Sequence, residues 1–202
     1  PKITPQQVWD AIRAPHWTFD YLTSPPIRYA NLSETTKATS LASFLEAQLK
    51  ASFDWSDAEW LLGEWAGPSI LKGVISPLDA ERAVAIGFDA IAISNHGGRQ
   101  VDASPAPISM LRLIRDRIGG AAELIVDGGV RRSSDIIKAI AMGANAVSFA
   151  RPYLFGLAAG GRKGVERALD FFVTGLTRDM TLLGASSFSA LTACLVTPSR
   201  LA

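Results

Sequence analysis

The sequence predicts an α/β fold built on a parallel sheet. Three observations predict it. From residue 69 onward, short apolar runs alternate four times with helical patterns. Each run is apolar along its length rather than at every second position, as in strands covered on both faces. The polar and charged residues collect where the runs end, which is where active-site groups sit in barrels and in open α/β sheets alike. No Gly-x-Gly-x-x-Gly follows any run, which disfavours a dinucleotide-binding open sheet.

The elements of that region follow in order. Residues 69–74 (Ser-Ile-Leu-Lys-Gly-Val) read as the first strand, and 77–86 as a helix that Gly87 ends. Residues 89–95 form the second strand, and 106–118 a helix closed by Gly119-Gly120. Residues 123–127 (Glu-Leu-Ile-Val-Asp) form the third strand; a helix then starts at Ser133 or Ser134 and runs to Met142, before Gly143. Residues 146–150 are the fourth strand. A helical tail spans 152–160 and then 163–183. Four βα units in succession imply right-handed crossovers between parallel neighbours.

Residues 1–66 carry no strand pattern and read as helices and loops. Thr4-Pro5-Gln6-Gln7 offers an N-cap, a proline at the first helical position and a glutamine placed for a capping box. Pro15 is expected to stop that helix, and residues 14–36 to form a long irregular connection. A second helical pattern starts near Ser40 with Leu41, Phe44, Leu45 and Leu49 at helical spacing. A third is capped by Asp54 or Ser56 and sets Trp60, Leu61 and Trp65 on its face. Most of these aromatics are expected in a core. The cluster Trp9, Arg13, His16, Trp17, Tyr21 and Arg28 suits core or lid packing, or alternatively a membrane surface.

The 202 residues are 48% hydrophobic and 19% charged, the balance of a globular chain. A net charge of +1 offers no basic field for nucleic acid. Cys194 is the single cysteine, so no intrachain disulfide forms, and no Cys/His cluster spells a metal site. No apolar run is long enough to cross a bilayer. The chain begins at Pro1 without an initiating Met, so it is expected to be the latter part of a longer polypeptide.

The chemistry centres on residues 94–102, Ser-Asn-His-Gly-Gly-Arg-Gln-Val-Asp. His96 brings an imidazole that exchanges protons near neutrality. Three residues on, Arg99 brings a planar cation that matches a carboxylate. The glycines between them let the backbone turn tightly. The combination suits a site that holds an acid by its carboxylate while a base works on the neighbouring carbon; a structural histidine beside a plain turn is the other reading. Lys72 sits inside an apolar strand, either snorkelling or facing a cofactor across the strand ends, and the second is preferred because His96 ends the adjacent strand. Asp127-Gly128-Gly129-Val130-Arg131 leads into a helix, where successive backbone N–H groups make an anion nest. Arg131, Arg132 and Arg151 add cations there, and Asp127 suits a sugar or ribityl hydroxyl.

Lys72-Gly73, the run from Ser94 to Asp102, and Asp127 to Arg131 together resemble the FMN-dependent L-2-hydroxy acid dehydrogenase and oxidase family. Asp135 to Ala139, Gly143-Ala144 and Gly156-Leu157-Ala158-Ala159 are similar to it as well. The resemblance is clearest from residue 69 onward. It implies the C-terminal half of a TIM (β/α)8 barrel, with residues 67–202 as that half and 1–66 as the family's connection between strands four and five. His96 would be the base, Arg99 the substrate-carboxylate ligand, and Lys72 the cation facing the flavin pyrimidine ring, with Ser94 nearby. Asp127, Gly128, Gly129, Arg131, Ala150 and Arg151 would hold the FMN ribityl chain and phosphate. Ala150 departs from the family's glycine; its N–H serves an anion only if its φ is negative.

The activity so implied is oxidation of a small, lactate-like L-2-hydroxy acid to the 2-oxo acid with FMN. An oxidase using O2 and a non-catalytic half-barrel fragment are the alternatives. The resemblance also implies a homo-oligomer, a cytoplasmic location with possible peripheral contact at the inner membrane, and no nucleic-acid partner. The family's first four strands, which supply an Asp orienting the histidine and a second substrate Arg, are not in these residues. The first and last strands would then be open edges, and the inward side chains of Ile91, Ile93, Ile125 and Val147 would meet water. The chain is therefore expected to fold natively only against the N-terminal half of the same barrel.

Overall fold

The computed structural model describes residues 3–25 and 52–197. They fall in two compact units divided between Phe53 and Asp54. The helical pattern expected near Ser40, and Arg28, lie outside the described residues.

In the first unit, helix α1 (Pro5–Arg13) starts with the capping box its sequence predicts. Gln7 N donates to Thr4 Oγ1 at 3.3 Å, and Thr4 N to Gln7 Oε1 at 2.8 Å. The irregular connection expected from residue 14 is instead a second helix, α2 (Pro15–Thr23). Pro15 ends one helix and opens the next, because its fixed φ suits a first helical turn. The Thr18 hydroxyl donates to Ala11 O at 2.7 Å and ties the two together. No residue of either helix is buried, so the core packing expected of Trp9, Trp17 and Tyr21 is not observed. They are 55, 57 and 69% exposed, and Trp17 stacks only on Tyr21.

The second unit opens with helix α3 (Trp55–Glu64), capped by Asp54, whose carboxylate accepts from Ser56 N at 2.8 Å. Ala58 is buried in the core, with Trp55 and Leu62 packed against it. Trp60 and Trp65 are exposed instead of joining it. Four strands follow, each with its helix: β1 (Ile70–Val74), α4 (Pro77–Ile86), β2 (Ala90–Ser94), α5 (Pro107–Ile118), β3 (Glu123–Asp127), α6 (Ser133–Ala141), β4 (Ala146–Ser148) and α7 (Arg151–Leu182). The strands are parallel and lie in the order β1-β2-β3-β4, so β1 and β4 are the outer ones.

The register decides which side chains share a face. Leu71, Ile91, Leu124 and then Ile93, Val126, Val147 are partners across the sheet. These pack with Leu111, Ile114 and Ile118 of α5 and Ala80 and Ala83 of α4. The opposite face carries Ile70, Lys72, Ala92, Ser94, Ile125, Asp127 and Ser148. Ile91, Ile93 and Val147 therefore point at the helices, not inward as expected, and Ile91 and Ile93 are fully buried. Only Ile125 of the four faces the other way. Consecutive strand order and helix cover on one face are the winding of a barrel; a doubly wound sheet reverses its order and is covered on both faces.

At the edge where the strands begin, Arg115 of α5 joins neighbouring units. Its Nε and Nη2 donate to Gly143 O at 2.9 and 2.7 Å, and Nη2 to Asn145 Oδ1 at 2.6 Å. Nη1 reaches Gly119 O and Ala122 O. Asn145 Oδ1 also accepts from Leu124 N at 2.9 Å. One guanidinium thus satisfies carbonyls at the ends of two helices. Helix α7 breaks at Gly160-Gly161, as the sequence indicates, and a Cβ on Gly156 or Gly164 would run into the other's carbonyl where its two arms cross. Its second arm is fixed by Phe172 stacking on Phe149 at 4.4 Å, and by the Ser133 hydroxyl donating to Asp179 at 2.6 Å.

Replacing Arg115 by Met is expected to cost about 2–3 kcal/mol, because partly buried carbonyls lose a charged donor. Arg115→Lys should recover only part of it, since an ammonium cannot fork between acceptors. Denaturant unfolding of the two variants checks both outcomes.

Candidate active site

The C-terminal ends of β1, β2 and β3 bring together three of the residues singled out in the sequence. Lys72 and Asp127 lie on the face without helices, flanking Ser94 of β2 between them. Lys72 Nζ is 2.6 Å from Asp127 Oδ2, and the Ser94 hydroxyl donates to the same oxygen at 2.7 Å. Lys72 Nζ also approaches Ser94 Oγ at 3.4 Å. Ser94 is 1% exposed, whereas the Lys72 side chain is 52% exposed, so the cation stays available at the open face. Partial burial pushes the Asp127 carboxyl up. Hydrogen bonds from Lys72, Ser94 and Ser148, with the Lys72 charge, outweigh it and hold the group below its ordinary value.

His96 follows Ser94 in a 3₁₀ turn, His96–Gly98. Asn95 shapes the turn: its side-chain oxygen accepts from Gly97 N at 3.0 Å and its amide donates to Pro105 O at 3.3 Å. His96 has φ 54, alone among the described non-glycine residues in having a positive φ. Its N–H donates to Ser94 Oγ at 3.1 Å, so Ser94 links the turn to the Asp127 carboxylate. The imidazole lies against Gly73 of β1. Arg99 is exposed where the turn ends, and no hydrogen bond joins it to the Lys72–Ser94–Asp127 cluster.

The glycine turn after β3 has the open backbone its sequence predicts. Gly128 and Gly129 have φ 106 and 78, with open space where a Cβ would project. Gly128 N donates to Ser148 O at 3.3 Å, which ties the turn to the end of β4. Where the turn enters α6, the Arg131 and Arg132 amides donate to Asp135 Oδ2, at 2.9 and 3.0 Å. The exposed Arg131 side chain remains as the cation of the turn. Past β4, Ala150 has φ −125, which meets the condition set for its N–H, and Arg151 opens α7 exposed.

Two further positions touch these residues without having a role assigned from the sequence. Ser148 shares the Asp127 carboxylate; its signal was a polar residue in an apolar strand, readable only with the register of β3 and β4. Gly73 meets the His96 ring; its signal was the glycine after Lys72.

These cations, hydroxyls and a carboxylate gather at one end of a one-sided parallel sheet, the end at which half of a (β/α)8 barrel carries its functional groups. Comparison with known proteins gives the particular family. The family described as FMN-dependent dehydrogenase matches residues 1–198, and the chain belongs to it; its cofactor is FMN. The L-lactate dehydrogenase of Vibrio cholerae is 36% identical over 196 residues, 95% of this chain and 52% of that protein. Pre-mycofactocin synthase of Mycolicibacterium smegmatis is 49% identical over 133 residues, 66% of this chain and 33% of that protein. The crystal structure of the monotopic membrane protein (S)-mandelate dehydrogenase superposes with a TM-score of 0.88 at 33% identity, over 96% of this chain and 52% of that one. The chain thus spans about half the length of these relatives or less.

The low-lying Asp127 carboxyl makes stability depend on pH. Its folded-state value is depressed, so its contribution is complete above an unfolded value of about 3.9 and is lost as pH falls through the folded one. The stability difference between the wild type and Asp127→Asn is expected to be constant near neutrality and to shrink below about pH 4. Chemical denaturation at stepped acid pH measures it; a difference that does not change with pH would contradict the assignment.

Proposed function

We propose that this chain supplies the catalytic half of an FMN-dependent enzyme that oxidises a small L-2-hydroxy acid, lactate-like, to the 2-oxo acid. The observation that carries the reading is the joint placement of His96 and the Lys72–Ser94–Asp127 cluster at adjacent strand ends. When bound, the flavin would accept the two electrons and the second of the two protons that the substrate loses. The residues fit it: an open glycine turn, exposed cations at Arg131, Arg151 and Lys72, and hydroxyl and carboxylate partners at Ser94, Ser148 and Asp127.

Each residue has a role in this scheme. Arg99 binds the substrate carboxylate with a bidentate fork. His96 removes a proton from the substrate and holds it as imidazolium. Lys72 stabilises the negative charge that the cofactor gains, and Ser94 sits beside it. Asp127, Gly128, Gly129, Arg131, Ala150 and Arg151 hold the ribityl chain and phosphate. The uncovered face of the sheet, with Ile70 and Lys72 exposed, is where the N-terminal half of the barrel packs. Residues 1–66 are then the connection that leads into this half.

In the protein assembled with that N-terminal half, His96→Ala is expected to slow flavin reduction by L-lactate about 10²–10⁴-fold with FMN still bound. Stopped-flow absorbance of the flavin reads both, and reduction at the wild-type rate would sink the base assignment. The 49% identity to pre-mycofactocin synthase supports a second reading, in which the same residues serve a synthase of that kind. Failure of both L-lactate and (S)-mandelate to reduce the bound flavin would select it. Oxygen uptake during turnover separates an oxidase from a dehydrogenase.

The first unit supports a peripheral membrane location. Its two helices leave Trp9, Ile12, Trp17, Phe19 and Leu22 exposed, the side chains of a surface that meets lipid headgroups. Among the described residues no helix is long and apolar enough to cross a membrane. Peripheral attachment predicts that the protein floats with anionic vesicles in a density gradient, and that Trp9→Ser with Trp17→Ser abolishes flotation. Flotation unchanged by these substitutions would refute the surface assigned here.

A further inference from the structure

We propose that Gly73 is a positioning residue: the side chain it lacks is the seat of the His96 imidazole. The inference rests on reading His96 as the base, and goes beyond it by saying what sets where that base stands. Strand β1 is irregular at this point. Lys72 pairs with Ala92 and Val74 with Ile93, so Gly73 is an extra residue in the ladder, with φ +99. The bulge turns its backbone toward the adjacent strand end. A Cβ there would stand 2.7 Å from His96 Cε1, 3.5 Å from Nδ1 and 3.7 Å from Nε2. Carbon atoms in contact settle at about 3.5–4.0 Å, so the ring would have to move by the better part of an ångström.

The backbone that carries the ring is fixed, while the side chain is exposed to solvent. His96 is held in the left-handed region at φ 54, and its N–H is tied to Ser94 Oγ. The imidazole therefore rests on the surface of Gly73. Any side chain at 73 tilts the Cε1 edge away and swings both ring nitrogens from where the substrate proton is taken. Misplacement of a reacting group by about 1 Å costs roughly 10²-fold in rate.

Two separate reasons favour glycine at 73: its φ, which strains any L-residue, and the ring above it. A double-variant cycle in the FMN-loaded, assembled protein separates them. Gly73→Ala is expected to lower kcat for L-lactate about 10²-fold, with FMN affinity unchanged. In the His96→Ala background the same change is expected to cost less than about twofold, because no ring remains to be displaced. Equal fractional losses in both backgrounds, or wild-type kcat in Gly73→Ala, would overturn the proposal.

A readout independent of activity uses the chain's two histidines, His16 and His96. With ¹³Cε1-histidine in the chain, Gly73→Ala should shift the His96 signal and leave His16 in place; an unmoved His96 signal overturns the seat. Should His96→Ala keep wild-type turnover, the base reading fails, while this signal still reports whether Gly73 seats the ring. Should Gly73→Ala be destabilised, denaturant unfolding is expected to show a smaller loss for the same change in the His96→Ala background, because the strain of φ +99 is common to both and the clash is not. An equal loss of stability in both backgrounds would overturn the proposal.

Discussion

The parity of four strands determines nearly everything else in the second unit. In register, one side chain in two from each strand reaches the helices, and the set that does is Leu71, Val74, Ile91, Ile93, Leu124, Val126 and Val147. Each fully buried aliphatic of this kind is worth about 1.5–3 kcal/mol. A slip of one residue would carry Lys72, Ser94 and Asp127 into that layer and put a charged pair among Leu111 and Ile114. The cost of burying such charges fixes the register, and the same register delivers lysine, serine and aspartate to one open face. Folding and site assembly are two results of one alternation.

The two ends of the sheet divide the work. Where the strands begin, helices α5 and α6 end, and Arg115 collects carbonyls from both. The cation meets the negative ends of the helix dipoles there, so it stabilises without being chemically useful. Where the strands end, the backbone takes unusual conformations at Gly73, His96, Gly97, Gly98, Gly128 and Gly129. Strain of this sort persists only when surroundings hold it, and here Ser94 and Asn95 do so by bonding the His96 and Gly97 amides.

How much of this was legible in the sequence depended on the range of the signal. The capping box at Thr4, the stop at Gly87 and the break at Gly160-Gly161 are set within a few residues and were read correctly. The strands were legible as apolar runs, but uniform runs hide their parity, so Ile91 and Ile93 were assigned to the wrong face. Pro15 carried two meanings, a stop and a start, and only the first was read. The aromatics Trp9, Trp17 and Trp60 suggested a core by type, yet burial depends on what packs around a residue. Within the site, Lys72, His96 and Asp127 stand out by chemistry, and Ser94 by the family resemblance. Their mutual bonds, like Ser148 on Asp127, span tens of residues and became visible only with the register.

The helix ends beside the glycine turn show how charge is apportioned between fold and ligand. The first turn of α6 contains Asp135, which occupies the Arg131 and Arg132 amides and neutralises that helix end internally. The first turn of α7 contains no acid, begins at Arg151, and has no side-chain cap. An anion near both helices gains little from the first and more from the second, where dipole and guanidinium act in the same direction. Under the proposed function the phosphate is therefore held from the β4 side by Ala150 and Arg151, with the Arg131 side chain reaching across from the turn. The alanine at 150 is compatible with this because its φ of −125 leaves the backbone where any residue can stand. Under the same reading Gly128 and Gly129, with open space where a Cβ would project, leave the ribityl chain room to approach the turn beside the Asp127 carboxylate.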